Sequence, residues 1–125
     1  MIILDASALI AFVRKEVGKD QVEPYIPHAS ISAVNFAETI ICLQTCNIPM
    51  DVIEAIETDL LKEVVPFDRN QTFLAAELRE YTKPLGLSFA DRACLALGKL
   101  KNQPVLAADK VWAKLEIGVE IQLIR

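Results

Sequence analysis

Short apolar runs alternate with amphipathic stretches along the whole chain. Ile2–Leu4, Ala29–Ser32, 63–67, 105–106 leading into 107–109, and 119–124 are brief, mostly apolar and bounded by turn formers, as expected of strands buried on both faces. Between them, residues 8–15, 34–46, 50–61, 68–81 and 89–100, with a shorter 110–115, carry helical patterning. Phe36, Ile40, Ile41 and Leu43 form the apolar body expected of 34–46, and Phe73, Leu74, Ala76 and Leu78 are core candidates in 68–81. Gly18 and the prolines at 24 and 27 set off another short helix. Pro49 suits the start of 50–61, where its missing amide hydrogen is not needed, and Lys83-Pro84-Leu85-Gly86 is a breaker. Ser88 is placed to cap the next helix, whose alanines and cysteine permit close packing. Strands alternating with helices predict an α/β fold with a mostly parallel sheet covered on both faces.

With 125 residues, 53% of them hydrophobic, the chain suits one well-buried core, so a single domain over 1–125 is expected. No stretch approaches the roughly 20 apolar residues of a membrane span, and Asp5 interrupts the first apolar run with no basic region ahead of it, unlike a signal peptide. Cys42, Cys46 and Cys94 are too few and scattered for a disulfide framework and suit a reducing, cytoplasmic setting. Cys42 and Cys46 stand four apart, but His28 is the only histidine, so core-filling thiols are expected rather than a closed zinc site. A net charge of −4 argues against coating nucleic acid with a broad basic surface. A local basic rim remains open: Arg14, Lys15, Lys83, Arg92, Lys110 and Lys114 flank the candidate site residues, or simply solvate helix faces.

The candidate chemistry is carboxylate chemistry. Asp5 and Asp109 follow strands at the carboxyl edge of the expected sheet, where ligands bind in open α/β folds, and Glu38 and Asp91 lie in early turns of helices that can point to the same edge. Each has a capping alternative: Ser88-Phe89-Ala90-Asp91 and Asn35-Phe36-Ala37-Glu38 have capping-box spacing, Asp109 can cap, and Asp5 can orient the turn with Ser7. Four acids at one edge, with no basic residues inside the apolar runs to neutralise them, favour a shared cation, and oxygen ligands with almost no histidine select Mg²⁺ or Mn²⁺. Such ions acidify a bound water and stabilise both oxygens of a phosphoryl displacement. Mutual repulsion without metal should raise at least one carboxyl pKa.

Four segments together resemble the PIN-domain family: Ile2-Ile3-Leu4-Asp5-Ala6-Ser7-Ala8-Leu9, Ser32-Ala33-Val34-Asn35-Phe36-Ala37-Glu38, Leu87-Ser88-Phe89-Ala90-Asp91 and Val105-Leu106-Ala107-Ala108-Asp109. The short single-domain form is similar to VapC-type toxins of toxin-antitoxin pairs. The resemblance implies a three-layer α/β/α sandwich and a Mg²⁺- or Mn²⁺-dependent ribonuclease in which the carboxylates hold the metal and water attacks an RNA phosphodiester. By position it assigns Asp5, Glu38 and Asp91 to the three principal acids, Asp109 to a more variable fourth, and Ser7 to the hydroxyl supporting the first. Ala107 departs from the Thr or Ser common two residues before the fourth acid. Arg92 and Lys83 are candidate contacts to substrate. The family form further implies a homodimer and a cognate antitoxin, for which apolar positions on 34–46 and 50–61 offer surface. The rival readings are a non-catalytic PIN-like RNA-binding or protein-interaction module and a receiver-like domain, the latter lacking a lysine after 119–124.

Overall fold

In the first strand, β1 (Ile2–Leu4), successive side chains point to opposite faces, so Ile2 and Leu4 enter one apolar cluster and Ile3 the other. A computed structural model describes residues 1–125. The other strands are β2 (Ala29–Ser32), β3 (Glu63–Val65), β4 (Val105–Ala107) and β5 (Ile121–Leu123). All pair in parallel, in the order β3-β2-β1-β4-β5.

The helices are α1 (Ala6–Val13), α2 (Lys19–Val22), α3 (Ala33–Thr45), α4 (Met50–Ala55), α5 (Arg69–Glu77), α6 (Arg79–Thr82) and α7 (Phe89–Lys101). On one face of the sheet, Leu9, Val22, Phe36, Leu43 and Ile53 from α1 to α4 pack with Ile2, Leu4, Ile31 and Leu106. On the other, Ala75, Cys94, Leu95, Leu97 and Trp112 pack with Ile3, Val105 and Ala107. The result is the expected α/β/α sandwich. No helix is long and apolar enough to cross a membrane.

Several local expectations are corrected. The first helix begins at Ala6 rather than residue 8, because Asp5 is its N-cap and accepts from Ser7 N. The third begins at Ala33 with Ser32 as cap, accepting from Val34 N, so the capping box read at Asn35 to Glu38 does not form. Residues 50–61 start as α4 and finish in a wider turn over Ile56–Leu60, where i→i+5 bonding takes over. Residues 68–81 divide at Leu78 into α5 and α6. Of the core candidates, Ile41 is 65% and Phe73 57% exposed. The inward stripe of α5 instead runs through Gln71, Ala75 and Leu78, placing Ala76 outside. Cys46 is exposed and Cys42 half-buried, so only Cys94 fills the core.

The strand order locates the ligand-binding edge. The chain runs outward from β1 to β3, then returns to add β4 on the other side of β1. Connections therefore leave in opposite directions at the carboxyl ends of β1 and β4, opening a crevice there.

Candidate active site

Asp5 stands at that switch point. Its backbone N–H donates to Leu106 O on the neighbouring strand, and the residue is only 6% exposed. Ser7 fixes its orientation: Ser7 Oγ donates to Asp5 Oδ2 at 2.6 Å, Ser7 N donates to the same oxygen at 3.1 Å, and Ser7 Oγ accepts from Ala108 N at 3.0 Å. One hydroxyl thus ties the exit of β1 to the exit of β4. Asp5 Oδ1 is buried and has no hydrogen-bond partner.

Two further acids act on Asp5. Its carboxyl is pushed up to about 6, first by burial, against the lowering effect of the Ser7 hydrogen bonds, with the charges of Asp91 and Glu38 adding to the rise. A raised carboxyl was expected, but burial outweighs the repulsion that sequence reasoning invoked. Glu38, on the solvent side of α3, is also raised, by its partial burial and then by the Asp91 charge, while a hydrogen bond from Asn35 opposes the shift. Beneath them in α7, the buried Cys94 thiol is pushed well up, by burial foremost and then by Asp5, Asp91 and Glu38. Asp5, Glu38 and Asp91 therefore form one electrostatic group.

Asp91 also makes the capping box read from the sequence, with Ser88 N donating to Asp91 Oδ2 at 2.8 Å and Asp91 N donating to Ser88 Oγ at 3.2 Å. No protein group donates to Asp91 Oδ1 or Glu38 Oε2, the other oxygen of each being the one bound. Asp109 is exposed, its Oδ1 accepts from Val111 N at 3.0 Å, and its charge is not among those acting on Asp5, Glu38 or Cys94. It lies just beyond β4, with Ala108 between it and the strand.

None of the four acids takes part in an ion pair; those present use Glu16, Asp20 and Glu63. The three grouped acids thus have concentrated negative charge, a buried free oxygen and no cationic side chain to offset them. That donor set fits a hard divalent cation. As the side chains stand, no three acidic groups converge on one point.

Arg92 is half-buried, with Nη1 donating to Leu87 O at 3.3 Å, whereas Lys83 is exposed at the turn before Gly86. Sequence reasoning missed the place of Asn35, read there as a cap. It is fully buried, and its Nδ2 donates to Glu38 Oε1 and to Ala90 O. The available signal was a polar side chain three residues before Glu38, inside the helix that Ser32 opens.

Comparison with known proteins agrees with this architecture. A toxin-antitoxin complex from Klebsiella pneumoniae contains a similar chain at a TM-score of 0.74 and 17% identity, covering 97% of this chain and 100% of that one. VapBC2 from Rickettsia felis, solved bound to a DNA fragment from their promoter, is similar at 0.73 and 16%, covering 98% of both chains. VapC20 from Mycobacterium tuberculosis, a sarcin-ricin loop cleaving toxin, is similar at 0.74 and 18%, covering 96% and 99%. No curated protein matches by sequence. The PIN-domain family model matches residues 2–118, and the chain belongs to the PIN-domain family.

Proposed function

We propose that this chain is a divalent-cation-dependent endoribonuclease, the toxin of a toxin-antitoxin pair. The observation that carries the reading is Asp5: a buried carboxylate at the topological switch point, grouped with Glu38 and Asp91, with one oxygen unpartnered and no cationic side chain to offset it. Asp5 Oδ1, Glu38 Oε2 and Asp91 Oδ1 are the oxygens available to hold Mg²⁺ or Mn²⁺, with Asp109 at the rim of the same crevice. When bound, the cation supplies activation of water and stabilisation of charge on the phosphoryl oxygens.

The protein's own groups prepare this chemistry. Ser7 holds Asp5 in one rotamer, and its contact with Ala108 N keeps the crevice at fixed width. Glu38 and Asp91 approach from separate helices, so helix packing sets their spacing. Arg92 and Lys83 are the basic groups on the substrate side, placed to attract RNA phosphates. No side chain is needed as a nucleophile.

The assignment to a toxin rests on the fold shared with toxin-antitoxin structures along nearly the whole of both chains. Ile41 on α3 and Met50, Val52 and Leu60 on and after α4 are large and exposed, supplying apolar area for an antitoxin or a second copy in a homodimer. Free thiols at Cys42 and Cys46 suit the cytoplasm.

Structured RNAs incubated with Mg²⁺ or Mn²⁺ test the proposal. Wild type should cleave and Asp5→Asn and Asp91→Asn should lose at least about 100-fold, the scale on which removing preorganised charge lowers kcat. Equal rates in all three would overturn the site. A non-catalytic module is the second reading, favoured by acids that do not yet converge on one point, and absence of metal-stimulated cleavage by wild type would select it.

A further inference from the structure

Asn35 links the two helices that carry Glu38 and Asp91. It is fully buried on α3, where Nδ2 donates to Glu38 Oε1 at 3.3 Å and, across to α7, to Ala90 O at 3.0 Å. Ala90 immediately precedes Asp91. Both partners are acceptors, so the amide nitrogen must face them and the oxygen must face away. That oxygen, Oδ1, is buried without a hydrogen-bond partner. An asparagine serving only to pin helices would be expected to have its oxygen satisfied as well.

We infer that Asn35 is a positioning residue for the cation site, bridging Glu38 to the backbone beside Asp91 through its amide nitrogen. The inference rests on the cation-dependent reading above and deepens it. Held at Oε1, Glu38 presents Oε2 in a fixed direction instead of sampling solvent. Held at Ala90, α7 keeps Asp91 at a set distance from Glu38. An amide that fixes a liganding carboxylate in this way is the kind of outer partner that orients the inner ligands of a metal site.

The test is Mn²⁺ binding followed by calorimetry on the full chain, with no RNA present. Asn35→Leu, close in volume, should weaken Mn²⁺ by about tenfold or more, the usual effect of removing an outer partner. Because part of its action runs through Glu38, the same substitution in a Glu38→Gln background should cost less affinity than in wild type, the non-additivity of residues that share one interaction. If Asn35→Leu lowers the thermal midpoint yet binds Mn²⁺ as wild type does, the role is purely structural and the inference falls. It falls equally if the loss is the same in both backgrounds. Asn35→Ser, which keeps a polar group but cannot span both acceptors, carries the same expectations should the leucine variant not fold. Glu38→Gln alone separates the two levels: unchanged Mn²⁺ binding there overturns the cation reading itself, whereas weakened binding with a normal Asn35→Leu overturns only the role of Asn35.

Discussion

A carboxylate buried to the depth of Asp5 is a cost to the fold, and its sign against pH follows from the shift. The ordinary carboxyl value is 3.8 and the folded value about 6, so between them the native state keeps a proton that the unfolded chain has released. Stability contributed at this position is therefore greatest below about pH 4, is lost as pH rises to about 6, and stays lost above. The size is about 3 kcal/mol, from a shift of this magnitude. Asp5→Asn keeps the shape and removes the charge, although its amide can no longer serve Ser7 as fully. Without metal at pH 7, the variant is expected to be more stable than wild type by about 1–3 kcal/mol in urea titrations. The gap should close as the pH is lowered from 6 to 4; a variant less stable than wild type at pH 7 would contradict the burial argument.

At the level of elements, α7 is the member most constrained from both ends. Its N-terminus carries the Ser88 and Asp91 capping box, and farther along Gly98 lies against β4. A Cβ at Gly98 would stand 2.6 Å from Val105 Cγ2, on a fully buried β-branched residue with little freedom to move. Replacing a helical glycine by alanine gains about 1 kcal/mol in propensity, while overpacking a core costs about 1–3 kcal/mol. The clash is expected to win, so Gly98→Ala should lower stability by up to about 2 kcal/mol by chemical denaturation; a stabilised variant would show that α7 can slide on the sheet. How far elements were legible in sequence follows from the same geometry. Strands buried on both faces announce themselves as apolar runs, so β1 and β2 carry the boundaries expected of them. Helix faces were less legible, because α3 and α5 have more apolar residues than their inward stripes can take. Phe73 and Ile41 fit a helical period and still face solvent, while the polar Gln71 and Asn35 are buried. The acids at the ends of β1 and β4 could be placed from strand order, but Asp91 sits two helices beyond β3. Only helix packing brings it to Asp5.

For the molecule as a whole, these terms pull in opposite directions at one place. The fold concentrates charge at the crevice between β1 and β4, and a cation that binds only the folded state returns stability by mass action. At about 100 times its dissociation constant, a ligand contributes about 2.7 kcal/mol, comparable to the cost of ionised Asp5. For a chain of this size that is a rise of about 10 °C in thermal midpoint. At pH 7, Mn²⁺ should therefore raise the midpoint of wild type by about that much and that of Asp5→Asn by much less, although the variant starts from the higher value. The two titration curves should converge or cross as Mn²⁺ increases. Parallel curves would place the ion away from Asp5, and flat curves for both would leave the buried carboxylate without the ligand its surroundings call for. Zn²⁺ is a poor substitute probe, since the exposed Cys46 thiol offers it a competing ligand in native and unfolded chains alike. Crossing curves would show that the group destabilising the empty fold is the one holding the ion, coupling the site to the stability of the whole sandwich.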